Sequence, residues 1–183
     1  YSREGLIEFI QNSGFPTFRA KQIEQWLYQK GAKSYDSMTN LSKDMRARLA
    51  SEAPLYCAEI DDRQISKDGT RKYIVRYVDG KTAEMVAMPT DNRLTVCASS
   101  QVGCAMACSF CATGKEGFSR NLLPGEIVEQ VLLAQEDMGM RVSNVVVMGQ
   151  GEPFQNYGNT LAALRFLNGK DGLNIGADRK SVV

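Results

Sequence analysis

The chemistry in this chain gathers at residues 103–111, GCAMACSFC, where Cys104, Cys108 and Cys111 are spaced x3 then x2. A thiolate is a soft anionic ligand that suits zinc, copper(I) or an iron–sulfur cluster. A structural zinc site wants four protein ligands, usually Cys alone or Cys with His. The chain has no histidine, and the loop holds no fourth cysteine. Cys97, seven residues upstream, would have to complete such a site. A 4Fe–4S cube that only carries electrons takes four cysteines. Held by three, it keeps one iron open for a chelating ligand, such as the amino and carboxylate groups of a methionine moiety. The small residues Ala105 and Ala107 let the backbone wrap closely round a cube. Three unliganded buried thiols are the plain alternative, but clustered thiols without a ligand are prone to oxidation.

Six further residues call for a reading. Gly151 and Glu152 follow the strand-like run NVVVMG (144–149) in the segment GQGEP. Ligands meet a parallel sheet at the carboxyl ends of its strands. A glycine there removes a Cβ so that the backbone can approach a cofactor, and a carboxylate can accept hydrogen bonds from an ammonium group. Alone, the same segment reads as a plain turn. Glu84 stands in the strand-like run TAEMVAM (82–88); such a residue ordinarily faces solvent. Cys97, on LTVCAS (94–99), reads as a small core residue. Phe110 is either a core aromatic or a neighbour of a bound cofactor. Cys57 reads as structural.

The elements that must position these residues follow from periodicity. Residues 1–50 carry three short helices. Ser2 is placed to cap the first, with Leu6, Phe9 and Ile10 on one face. The second carries Ile23, Trp26 and Leu27 and stops at Gly31, and the third begins near Ser42 with Met45 and Leu49 a turn apart. After Pro54 the period changes to two. Residues 71–78 and 82–88 flank Asp79-Gly80, a strong hairpin signal. Beyond the cysteine loop, Pro124 opens a helix with Ile127, Val128, Val131, Leu132 and Gln135 on its stripe. Then come the buried strand 144–149, a helix around Thr160–Leu167 with Leu161 and Leu164 inward, and a last strand at 179–183. Strand–helix alternation implies right-handed βαβ units and a parallel sheet.

Composition narrows the classes. At 43% hydrophobic and 23% charged, the 183 residues can bury a core and are not a disordered tract. No apolar run approaches the length of a membrane span, and no cleavable signal opens the chain. Five cysteines, three of them crowded together, argue against a secreted disulfide framework and for a reducing, cytoplasmic compartment. Net charge is +1, yet residues 1–50 hold eight Lys or Arg against five acids. That excess suits a solvated helical surface or an RNA-facing one. The chain begins with Tyr1, and its last strand has nothing after it to cover it, so both ends are expected to be cuts.

The spacing C-x3-C-x2-C with Phe110 before its last cysteine resembles the radical SAM signature. SSQVGCAMACSFCATGKEGFSRNL (99–122), VVMGQGEP (146–153) and DGTRKY…DGKTAEMVAMP resemble the RlmN/Cfr group of RNA adenosine methyltransferases. The resemblance implies that Cys104, Cys108 and Cys111 hold a 4Fe–4S cluster and that Gly151 and Glu152 contact S-adenosylmethionine. It implies Glu84 as the acceptor of the proton from the adenine ring carbon, through a desolvated carboxylate of raised pKa. It implies Cys97 as the thiol that helps release a covalent protein–RNA adduct by forming a disulfide. The implied substrate is an adenosine of 23S ribosomal RNA, and of tRNA, methylated at C2; methylation at C8 and a zinc-stapled RNA-binding module stay open as alternatives. A ferredoxin-like electron carrier would leave GQGEP without a role. The implied partners also include a one-electron reductant of flavodoxin or ferredoxin type, and no membrane. The expected fold is α/β: a helical accessory domain (1–53) that binds RNA through residues such as Arg19, Lys21, Arg46 and Arg48, a β-hairpin linker (54–93), and the first part of a radical SAM (β/α) barrel (94–183). In this family the methyl group moves first to a cysteine of the C-terminal part. With no residue after Val183, the chain is expected to bind cluster and cofactor without completing methylation.

Overall fold

The computed structural model describes residues 3–32, 34–53, 55–176 and 180–182. Ser2, Lys33, Pro54, Arg179 and Val183 lie outside them. The chain forms two compact units, residues 1–56 with 169–174 and residues 57–168 with 175–183.

The smaller unit is helical. Helices α1 (Arg3–Asn12), α2 (Phe18–Glu24) and α3 (Lys43–Glu52) enclose a core of Ile10, Ile23, Met38, Met45 and Leu49. Ser42 caps α3, its Oγ accepting the Met45 N–H at 3.2 Å. The expected second helix changes pitch on its way to Gly31. Residues Gln25–Gln29 form a π-turn, and the Trp26 indole N–H reaches Asn40 Oδ1 at 2.6 Å.

The larger unit is built on a six-stranded sheet, in the order β1 (Ala58–Ile65), β2 (Arg71–Tyr77), β3 (Thr82–Thr90), β4 (Arg93–Cys97), β7 (Asn144–Val147), β8 (Lys180–Val182). The first four strands are antiparallel, whereas β4, β7 and β8 run parallel. The sheet is thus continuous through residue 94, the boundary expected between linker and barrel. Asp79-Gly80 closes the β2–β3 hairpin, with the Gly80 N–H on Tyr77 O and the Tyr77 N–H on Lys81 O, each at 2.9 Å. Helix α5 (Pro124–Met138) leads into β7, and α6 (Tyr157–Asn168) follows it. Between β4 and α5 lie a ribbon, β5 (Gln101–Gly103) with β6 (Phe118–Asn121), and the short helix α4 (Thr113–Glu116).

Alternation gives the large sheet two unequal faces. Tyr73, Val75, Ala83, Met85, Ala87, Leu94, Val96, Val145 and Val147 are buried. Helix α5 lies on their side, where Asp137 accepts the Tyr73 hydroxyl at 2.8 Å. The other face, including Ile74, Glu84, Val86, Cys97 and Val146, is half-buried. On α5, Ile127, Val128 and Val131 are buried as expected, but so are Glu126, Glu129 and Gln130. On α6 the buried residues are Thr160, Ala163 and Leu167, while Leu161 and Leu164 are half-buried, because the inward face is rotated by about one residue.

Candidate functional site

The three cysteines sit in a loop pinched at its base by the β5–β6 ribbon. The Cys104 N–H donates to Gly117 O at 2.9 Å. Gly103 has φ +71°, and a Cβ there would lie 1.9 Å from Gly117 O, so only glycine closes the ribbon this tightly. Inside the loop Ala107 takes φ +49°, a left-handed conformation that costs a non-glycine residue about 1–2 kcal/mol. It curls the chain between Cys104 and Cys108. Cys104 is 9% exposed, and its sulfur accepts the Met106 N–H at 3.5 Å. Cys108 and Cys111 are half-buried, and the Cys111 N–H donates to Cys108 O. The Gly114 N–H, then the groups of Thr113, hold the Cys111 thiol below its ordinary range, which favours the thiolate that a metal needs. Phe110, 91% exposed, is not a core aromatic.

Among the described residues, no three His, Cys, Asp or Glu side chains converge as they would round a single metal ion. A cubane asks for something different. Each thiolate sits on its own iron, so the sulfurs stand apart round the cube. The curled loop carries one buried and two half-buried cysteines, and its donors are of the soft anionic type an iron–sulfur cluster takes.

The second loop, Gly149–Pro153, leaves the carboxyl end of β7 beside the first. Gln101, 1% exposed on β5, ties the two together. Its Oε1 accepts the Glu152 N–H at 2.9 Å, its Nε2 donates to Asn121 Oδ1 on β6 at 2.8 Å, and its backbone N–H reaches Gln150 O at 3.2 Å. Gly151 has φ +97°, and a Cβ there would lie 2.5 Å from Gln101 Cβ. The glycine is therefore required by the neighbouring strand and by its own backbone conformation, where the sequence alone pointed to close approach by a cofactor. Asn156 Nδ2 adds bonds to Ser100 O and Leu122 O at 2.7 and 2.8 Å, and the Gln155 amide reaches the Met106 sulfur. The Phe154 N–H donates to Glu152 Oε1 at 2.9 Å and steadies that carboxylate.

Glu84 and Cys97 stand on adjacent strands and on the same, half-buried face, since Val86 pairs with Cys97 in the β3–β4 register. The Glu84 side chain is 39% exposed and bonded to Lys72 Nζ at 2.6 Å. It is therefore not the desolvated carboxylate expected from the sequence: Lys72, diagonal to it on β2, supplies an ion pair at an open surface. Burial raises the Cys97 thiol above its ordinary range, against a hydrogen bond from the Met148 backbone. Cys57 stands apart from the site at the start of β1, where its N–H donates to both carboxylate oxygens of Glu129 at 2.8 and 3.1 Å. All five cysteines are free thiols.

The residues that hold this arrangement left little trace in the sequence. Gln130 brackets Ser99, its Oε1 accepting the Ser99 N–H at 2.8 Å and its Nε2 donating to Ser99 O at 3.0 Å. Arg120 on β6 bonds Glu126 through both terminal nitrogens at 2.8 Å and Asp79 of the hairpin turn at 2.6 Å. The one available signal was that polar residues 126, 129 and 130 interrupt the apolar stripe of α5.

In the smaller unit the basic residues divide. Arg19 donates to Gln22 and to Asn40 O, Arg46 to Asp36 O, and Arg48 to Glu52 and Ser13 O. These guanidinium groups serve the fold. Lys21 and Lys43 are exposed.

The family described as "Ribosomal RNA large subunit methyltransferase N-terminal domain" matches residues 1–55, and the "Radical SAM superfamily" matches residues 99–179. A protein of Trichodesmium erythraeum named "Probable dual-specificity RNA methyltransferase RlmN" is 53% identical over 163 residues, 89% of this chain and 47% of its own. One of the same name from Trichormus variabilis is 50% identical over 168 residues, 92% of this chain and 47% of its own. The chain thus spans about half the length of the curated relatives it matches. The crystal structure of a radical SAM methyltransferase from Sphaerobacter thermophilus superposes with a TM-score of 0.91 at 44% identity, covering 100% of this chain and 55% of that one.

Proposed function

Because the chain belongs to the RlmN family, we propose that its larger unit binds a 4Fe–4S cluster and S-adenosylmethionine for radical methylation of RNA, at C2 of an adenosine in 23S ribosomal RNA and in tRNA. The observation that carries the reading is the pairing of two loops. The cysteine loop and the Gly151-Glu152 loop lie side by side at the carboxyl ends of the parallel strands β4 and β7, joined through Gln101.

Cys104, Cys108 and Cys111 are the residues that would hold three irons. The chemistry supplied by the bound cluster is one electron, delivered by a flavodoxin- or ferredoxin-type reductant, for cleavage of a sulfonium carbon–sulfur bond. Glu152 offers its carboxylate to the ammonium of the methionine moiety. Glu84 takes the proton from the adenine ring carbon, and Lys72 fixes the direction of its carboxylate. Cys97, on the same face, serves release of the covalent adduct. Adenine carbon chemistry requires the base to leave its stack. Lys21 and Lys43 of the smaller unit offer phosphate contacts.

The zinc alternative needs Cys97 as a fourth ligand beside the three loop thiols. Metal analysis after anaerobic reconstitution separates the two readings. About four irons with matching sulfide per chain, in a brown protein, supports the cluster. A colourless protein with one zinc per chain removes it.

A further inference from the structure

We infer that Gln101 is a positioning residue for S-adenosylmethionine, the strut that sets the spacing between the cluster loop and the carboxylate of Glu152. The inference rests on the cofactor reading above. The two halves of the cofactor site come from different parts of the chain, one following β4 and the other following β7. A ligand that chelates an iron and at the same time meets Glu152 tolerates little slack between them; productive sites are held to about 0.5 Å by locked supporting side chains. Gln101 has the means to hold them. It is 1% exposed, and both ends of its amide are used, Oε1 toward the Glu152 N–H and Nε2 toward Asn121 Oδ1. Its own strand leads in two residues to Gly103 and the pinched base of the cysteine loop. Its Cβ fills the space that a side chain at position 151 would claim. An apolar side chain of equal length would keep the packing and lose both bonds, leaving the part-buried Glu152 N–H without its acceptor and its loop free to shift.

The test uses the cluster-loaded protein and compares it with Gln101→Met and Gln101→Glu. Iron content and thermal melting report the cluster and the fold. Titration with S-adenosylmethionine, followed by the change in the electron paramagnetic resonance of the reduced cluster, reports the cofactor. Gln101→Met is expected to keep its iron and weaken cofactor affinity by about tenfold, the usual scale for a supporting residue. Gln101→Glu keeps an acceptor for the Glu152 N–H and, as the neutral acid that burial favours, a donor for Asn121 Oδ1, so its affinity stays near the parent value. Parent-like affinity in Gln101→Met overturns the inference. Loss of iron along with affinity in both variants also overturns it, because Gln101 would then be general support for the fold. A parent protein whose spectrum ignores S-adenosylmethionine is a different result, and it fells the cofactor reading itself.

Discussion

Glu129 shows how one buried side chain sets a pH response. It is 8% exposed on α5 and accepts the Cys57 N–H, but burial outweighs that bond and pushes its carboxyl from 4.5 up to about 7. The folded chain therefore holds this proton more tightly than the unfolded chain. The associated stability is complete below about pH 4.5, falls as pH rises through the window, and is gone above about pH 7, a swing of up to ~3 kcal/mol. Glu129→Gln keeps an acceptor for Cys57 and removes the titration. It should flatten the melting temperature between pH 5 and 7 and raise it by several degrees at pH 8; a lower melting point at pH 8 would contradict this. At the same scale, the cysteines divide by position. Serine at 104, 108 or 111 should abolish cluster retention, whereas Cys57→Ser should keep full iron content, since Cys57 stands apart from the loop, where its backbone N–H donates to Glu129 of α5. Iron analysis of the four variants checks both halves of that statement.

The cysteine loop is only as well placed as the ribbon beneath it, and Arg120 holds the ribbon down. Its guanidinium joins Glu126 of α5 to Asp79 of the β2–β3 turn, and those two carboxylates raise its own pKa. The Glu126 side chain is almost fully buried, so Arg120→Ala strands a charge and should cost about 3 kcal/mol, or roughly 6–10 °C in melting temperature. Adding Glu126→Gln should recover part of the loss. An Arg120→Ala protein that melts and retains iron like the parent would show the bridge to be dispensable. These elements also mark where sequence reading reached and where it stopped. Asp79-Gly80, the capped third helix and the βαβ alternation were legible because each rests on local rules of turn, cap and period. Strand β1 was not, because both its faces are largely exposed and Asp61, Asp62 and Arg63 hide any alternation. The β5–β6 ribbon, of three and four residues, is too short to show a period. The spacing of the cysteines announced a ligand, but Gln101 and Asn156 act through partners 20 or more residues away, and nothing local distinguishes them from ordinary surface polar residues.

The whole molecule is α/β, a helical unit followed by a sheet whose parallel part is the beginning of a radical SAM barrel. Within the helical unit, Arg19, Arg46 and Arg48 are bonded to the unit itself, whereas Lys21 and Lys43 are exposed. Charge reversal of Lys21 and Lys43 together should weaken binding to ribosomal RNA and lower the slope of log affinity against log salt by about two. Arg19→Ala, which loses the bonds to Gln22 and Asn40, should lower the melting point instead. Equal salt slopes in the parent and the lysine variant would remove this unit from RNA recognition. Among the described residues no helix is long and apolar enough to cross a membrane. The claim on which the rest depends is that three thiolates hold a cubane and leave one iron for the sulfonium cofactor. Its most direct test is electron paramagnetic resonance of the anaerobically reconstituted, reduced protein, recorded with and without S-adenosylmethionine. The account predicts a reduced-cluster signal whose g values shift when the cofactor is added; a signal that does not respond, or no iron–sulfur signal at all, would contradict it.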